Sequence, residues 1–389
     1  MSVSGKQQEF FAPILAACAP IADVDTALDA EFAVSALLGG AYAAADEDRA
    51  AAVARFADDL VSVLDGRGDA LAGALLAGLS GVAPAEAAAR AGAALDAESR
   101  PAWAAEIGTA RCTDAWAMSD VYGDQTEFVL IFEFADGRLG GAPHACCVLT
   151  DANLSVVKDC WASTEPERVL ADCRRSAADN HDLRLVEVAP STARSTIEPL
   201  LAGTDELPEL PDSTEFAEDR ALLLARLATL PAAPAAGAGA AADPVAEFLA
   251  APEASIEDAP DGVVEACARL IAEYAPADPH RWSPTSAERF LVDWVPASAV
   301  LDAECVDWLP TVLLAFVTYS GHRRGLPEDA VMATQEAIRG RLDDFAAAMA
   351  DAGGNAATAA QVARAMLSDG VDPTDQDAVR SWLATNLPR

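Results

Sequence analysis

The spacing of apolar residues changes along the chain, and each change predicts a different architecture. From about residue 7 to residue 105 the spacing is helical: Val53, Phe56, Leu60 and Val63 share one face, while Asp58, Asp59 and Ser62 turn elsewhere. Asp46 is placed to cap the start of that helix and Gly66 to stop it. Further helices are expected over residues 25–39, 69–80 and 84–96, with turns at Gly81–Pro84 and Ser99–Pro101, giving a small bundle with a light, alanine-packed interior.

Between residues 109 and 189 the period falls to two. Phe128, Leu130, Phe132 and Phe134 form one wholly apolar face, and Glu127, Val129, Ile131 and Glu133 lie on the other. Asp136-Gly137 ends that strand; Arg111–Met118, His144–Leu149 and Leu154–Trp161 supply three more, in an expected antiparallel meander. A helix over 167–178, begun by Pro166, a strand over Leu183–Val188 and a helix over Ser213–Leu230 follow, the last with Glu215 in its first turn and Arg226 in its last.

Pro231 to Pro244 holds no large apolar side chain and reads as a linker. Helical spacing then returns. Thr285 to Glu288 has the form of a capping box ahead of Phe290, Leu291 and Trp294. Trp308–Tyr319 is apolar nearly all round, a central buried helix with Pro310 in its first turn, and Ile338, Leu342, Phe345 and Met349 stripe a helix expected from Pro327 to Asp351. A last helix pair is expected between Thr358 and Leu387; Asp372, Asp375 and Asp377 beside it would repel phosphate, so it reads as structural. The fold class is therefore α+β: predominantly helical, with a four- to five-stranded, mostly antiparallel sheet in the middle. The divisions are a helical region 1–105, an α/β module 106–230, a linker 231–243 and a helical C-terminal domain 244–389.

Charge narrows the partners. The net charge is −36 over 389 residues that are still 52% hydrophobic, so the chain is acidic and globular rather than acidic and disordered. On a surface of ~14,000 Å² this is one net charge per ~400 Å², against roughly one per ~100 Å² for duplex DNA. A nucleic-acid mimic would need strong clustering, and only short runs such as Asp46-Glu47-Asp48 and Asp58-Asp59 occur. Direct binding to nucleic acid or an anionic membrane is disfavoured, while a basic protein partner fits; acidity also keeps an alanine-rich protein in solution. Lysine occurs only as Lys6 and Lys158, and with the heavy use of alanine this reflects a GC-rich coding bias. Eight cysteines are too dilute for a disulfide scaffold, the first residues lack a signal-peptide pattern, and the longest apolar run, Trp308–Tyr319, is too short to span a bilayer. A cytoplasmic protein with reduced thiols is expected.

Two segments carry a resemblance. Trp116-Ala-Met-Ser-Asp-Val-Tyr-Gly-Asp124 within Arg111–Trp161, and Arg281-Trp-Ser-Pro with Leu291-Val-Asp-Trp-Val-Pro296, resemble pieces of a family of uncharacterised actinobacterial proteins. The resemblance extends over much of residues 100–389 and implies no activity.

Candidate chemistry centres on the loop Ser119–Asp124. Asp120, Tyr122 and Asp124 fall within five residues; the two carboxylates are candidate ligands of a hard cation, and with the Tyr122 phenol they are candidates for acid/base catalysis. The competing reading is a hairpin turn, with Gly123 at positive φ and aspartates capping amides. His144, Cys146 and Cys160 share a predicted sheet face but lack the close-spaced pairs of structural zinc, and Cys146 and Cys147 face opposite ways. Lys158, beside Asp159, joins His144 as a catalytic candidate. No metal ligand set or cofactor is assigned, because the common hydrolase, metalloprotease, phosphate-loop and dinucleotide motifs are absent. The reading that follows is an acidic, non-catalytic protein-binding protein of adaptor or chaperone-like type. The alternatives are a metal-assisted or acid/base enzyme at Ser119–Asp124, with Glu133, His144 and Lys158 in support, and an acidic mimic of nucleic acid. Oligomeric state is not legible.

Overall fold

The period-two segments assemble as one antiparallel sheet of order β4-β3-β2-β1-β5, from β1 Arg111–Asp120, β2 Gln125–Glu133, β3 His144–Asp151, β4 Val156–Ser163 and β5 Leu183–Glu187. The computed structural model describes residues 5–211, 213–232, 243–298 and 301–352, and the chain divides into two compact units, Met1–Gly239 and Ala240–Arg389. It is an α+β protein, 63% helical. Among the described residues no helix is long and apolar enough to cross a membrane.

In the first unit the helices are α1 Gly5–Ala17, α2 Ala27–Ala43, α3 Arg49–Leu64, α4 Ala70–Val82, α5 Ala85–Ala94, the one-turn α6 Gly137–Gly140, α7 Pro166–Asp179, α8 Pro190–Asp205 and α9 Thr214–Thr229. α3 is capped by Asp48, in a left-handed conformation, rather than by Asp46, and the Asp48 carboxylate accepts from the Ala51 amide. The even-numbered face of β2 packs with Cys146, Val148, Val157 and Cys160 against the early helices and α9, in one core running from Phe11 to Leu230. The helical region 1–105 and the α/β module thus share their apolar interior. Gly39 lets α2 and α9 meet almost backbone to backbone, and the Ser35 hydroxyl stitches them by donating to Glu218 O and accepting from Leu222 N.

The opposite sheet face is apolar only in patches. Val129, Ile131, Ala145 and Cys147 lie under Leu170 and Cys173 of α7, leaving the ends of the face open. Outward amides of edge strand β4 are filled by side chains: Val157 N donates to Thr204 Oγ1 and Ala162 N to Asp219 Oδ2, both at 2.8 Å.

The second unit contains α10 Pro244–Leu249, α11 Val263–Tyr274, α12 Pro284–Arg289, a π-helical turn Phe290–Trp294, α13 Val295–Ser298, α14 Ala303–Arg324 and α15 Glu328–Gly340. Phe248, Trp282, Phe290 and Phe316 build an aromatic core around α14. The capping box sits two residues earlier than Thr285, at Ser283 and Ser286, because Pro284 pre-sets the first helical turn. The helix expected to run to Asp351 is interrupted at Arg341, beside Gly340, and Arg341 turns to bond Glu288 and Asp344. Most of the linker, residues 233–242, and the expected helix pair 358–387 lie outside the described residues.

Candidate functional site

Asp120 is the architect of the loop that holds it. Its Oδ1 accepts from the amides of Tyr122 (2.8 Å), Gly123 (2.8 Å) and Asp124 (3.2 Å), its Oδ2 accepts from Gln125 (2.7 Å), and Gly123 takes φ +76°. Four donors spend both oxygens on the turn. Asp151 does the same for the β3–β4 hairpin, accepting from Asn153 and Leu154 at 3.0 Å, and the half-exposed Lys158 ammonium lies 3.9 Å from its other oxygen. The two turns are joined by Ala152 N donating to Asp124 O. Lys158 and the Ser119–Asp124 loop therefore share one end of the sheet, since Gln125 pairs with Asp151. His144 is seven residues away along β3, roughly 23 Å at strand rise, and does not join them.

What His144 does join is a fully buried cluster that only the tertiary fold assembles. Arg226 Nε donates to His144 Nε2 at 2.9 Å, while the Arg226 guanidinium grips both carboxylate oxygens of Glu31. The imidazole stacks on Phe132, and Arg226 lies against Phe132 and Phe134. Burial, and then the neighbouring guanidinium, lowers the His144 pKa to about 3, so the ring is neutral, with Nδ1–H facing Ala142 O at 3.4 Å and Nε2 as acceptor. A guanidinium on Nε2 takes the lone pair that a zinc ion would need. Cys146 and Cys160 share that sheet face, but burial pushes the Cys146 thiol up to about 12 and Cys160 well above its usual range. Among the described residues no group of three or more His, Cys, Asp and Glu side chains is arranged to hold a metal ion.

A second cluster was equally hidden. Tyr42 OH donates to Asp205 at 2.7 Å, Arg220 pairs with Asp205 and stacks on Tyr42, and Arg49 caps the carbonyls of Asp205, Leu207 and Pro208 beyond the end of α8. The first cluster leaves a trace in the sequence: Glu31 interrupts the stripe Ala27, Leu28, Ala30, Val34, Leu38, and Arg226 stands between Leu222, Leu223 and Leu227.

Asp219, which closes the β4 edge, has a pKa raised from 3.8 to about 6, chiefly by burial and against the Ala162 amide bond that lowers it. Between those pKa values the folded chain keeps a proton that the unfolded chain has lost. The stabilising term is therefore full below pH 3.8 and lost as pH rises through about 6. His144 has the opposite sign, stabilising above 6.5 and losing its term as pH falls toward 3. Asp219→Asn retains the acceptor without the charge. It is expected to be more stable than the parent by about 1 kcal/mol at neutral pH, after allowance for partial exposure, with the gap closing near pH ~4. Urea titrations at several pH values check this, and a gap independent of pH would contradict it.

A groove of about 810 Å³ lies between the start of α7 and the open end of the outer sheet face. Its floor is Trp116, Ile131 and Leu170, flanked by Pro143 and Pro166. Asp114, Glu133, Glu165 and Glu167 stand exposed around it, with Arg168 and Arg174. Arg168 is paired with Glu165 at 3.1 Å, and Arg174 lies over the Trp116 ring at 5.3 Å. The Trp116 indole N–H is buried without an acceptor. Of the residues that the sequence offered for chemistry, only Glu133 reaches this groove, because Asp120, Tyr122, Asp124 and Lys158 stand at the other end of the sheet and His144 faces inward. No protein-family model matches the chain, and no curated protein or solved structure shows significant similarity to it.

Proposed function

We propose that this protein binds another protein without catalysing a reaction, taking an extended, basic segment of its partner into the groove beneath the start of α7. The observation that carries this reading is the Trp116 floor, with an unanswered buried N–H, inside a ring of four carboxylates of which only Glu165 is paired with an arginine of the groove. An unpaired buried donor costs about 1–3 kcal/mol, which a partner's main-chain carbonyl recovers once the exposed Arg174 swings off the ring. Lysine or arginine side chains on the same segment meet Asp114, Glu133 and Glu167. The net charge of −36 supports the choice of a basic partner by steering its approach and repelling phosphate backbones. An adaptor or chaperone-like role is the form this binding takes. The enzymatic alternative at Ser119–Asp124 has less support, since both Asp120 oxygens already hold backbone amides.

The test titrates the intact protein with fluorescent peptides of basic and of acidic sequence, each carrying one apolar anchor. Basic peptides are expected to bind, about tenfold more weakly when salt is raised several-fold. Glu133→Gln with Glu167→Gln, or Trp116→Ala, should abolish binding, while Asp58→Asn, on α3, should not. Binding indifferent to the groove substitutions, or no preference for basic peptides, refutes the proposal.

A further inference from the structure

Two cysteines of the second unit meet although 38 residues separate them in the chain. Cys267, in α11, is buried, and its Sγ lies 3.8 Å from the carbonyl oxygen of Cys305. Cys305 is the third residue of α14, half-buried, with its amide held at 2.7 Å by the capping carboxylate of Asp302. A carbonyl oxygen stands about 2.4 Å from its own Cα, which puts the Cys267 sulfur within about 6 Å of the Cys305 Cα. The two thiols are also close enough to act on each other's ionisation, Cys305 raising the Cys267 pKa and Cys267 lowering that of Cys305. Disulfides form between side chains that approach in this way from separate elements.

The pair is asymmetric in a useful way. Cys267 is sealed in the aromatic core, whereas Cys305 is open to small solutes. The Cys267 thiol donates to the Cys305 carbonyl and burial pushes its pKa up to about 12, so the less buried Cys305 is the attacking member, although burial and Asp302 hold it above the usual thiol range.

We propose that Cys267 and Cys305 are a reversible redox pair that a hydroperoxide oxidises to a disulfide. The Cys305 thiolate attacks a peroxide oxygen, the O–O bond breaks and hydroxide leaves, giving the sulfenic acid. Cys267 then attacks that sulfur: the S–S bond forms, the S–O bond breaks, and oxygen leaves as water with the Cys267 proton. Two thiols lose two electrons and two protons, and hydrogen peroxide becomes two waters. The bond ties α11 to the first turn of α14 and closes the segment carrying α12, the π-helical turn and α13 into a loop.

In the test, intact protein is treated with hydrogen peroxide at pH about 9, to raise the thiolate fraction of a thiol whose pKa is raised, and kept folded as judged by circular dichroism. Remaining thiols are alkylated, and the digest is read by mass spectrometry. The expected product joins the peptides of Cys267 and Cys305, is released by dithiothreitol, and forms before Cys112, another half-buried thiol, is oxidised. Cys267→Ser should leave Cys305 to accumulate as sulfenic acid, trapped by dimedone, and Cys305→Ser should leave Cys267 reduced. Linkage of either residue to a different cysteine, or oxidation of Cys112 while both stay reduced, overturns the proposal. The parent digest decides the matter even where a serine variant fails to fold.

Discussion

Replacing Glu31 with alanine is expected to cost about 3–5 kcal/mol of stability in the first unit. The loss is not that of one attractive pair. Arg226 and Glu31 are 1% and 0% exposed, so removing the carboxylate strands a guanidinium inside the α2–α9 interface, with a neutral imidazole as its remaining partner. Water cannot reach it, and arginine does not shed its proton. Converting the whole cluster to apolar groups tells a different story. Glu31→Met with Arg226→Leu and His144→Phe removes every stranded group and places another ring beside Phe132 and Phe134, and is expected to recover most of the lost stability. Urea unfolding, followed by hydrogen exchange of the α2 and α9 amides so that the two units are read separately, distinguishes these outcomes. A cost below about 1 kcal/mol for Glu31→Ala would mean that the charges are solvated.

Gly39→Ala is expected to rival that loss, at about 3 kcal/mol or more. A Cβ built at Gly39 falls 2.3 Å from the carbonyl oxygen of Ala217 and 2.6 Å from its carbon. Backbone on a facing helix cannot rotate aside as a side chain does. The helices must part, and the Ser35 bridges to Glu218 and Leu222 lengthen with them. The adjacent glycine is the control: nothing lies within 4 Å of a Cβ at Gly40, so Gly40→Ala should raise stability by about 0.5–1 kcal/mol through helix propensity alone. Thermal melts of the two variants are expected to move in opposite directions, and a shared sign would refute the close-contact account.

How much could be read in advance follows from the range of the interactions concerned. The β2 alternation placed Phe128, Leu130, Phe132 and Phe134 on the shared core, because side-chain direction in a strand is local and periodic. The Asp120–Gly123 turn was legible for the same reason, as its bonds span at most five residues. Finer local competition escaped. Pro284 moved the capping box from Thr285 to Ser283, and Gly340 with the side-chain bonds of Arg341 broke a helix whose apolar stripe ran on. Charged residues inside apolar stripes, Glu31 and Arg226, were visible, but their pairing across 195 residues was not, since no periodicity connects them. The groove was missed because it depends on where α7 comes to rest on a sheet face it only partly covers.

The sharing of one interior by Phe11 and Leu230 has a consequence for the chain as it is made. At roughly 5–20 residues per second, Glu31 emerges from the ribosome some 10–40 seconds ahead of Arg226, its eventual counter-ion. Until β1 to β5 and then α9 follow, the nascent amino-terminal helices lack the partners that shield their oily side. Translation arrested before α9 should therefore leave a sticky, protease-sensitive stub, and the cell's folding factors have to guard it until α9 arrives.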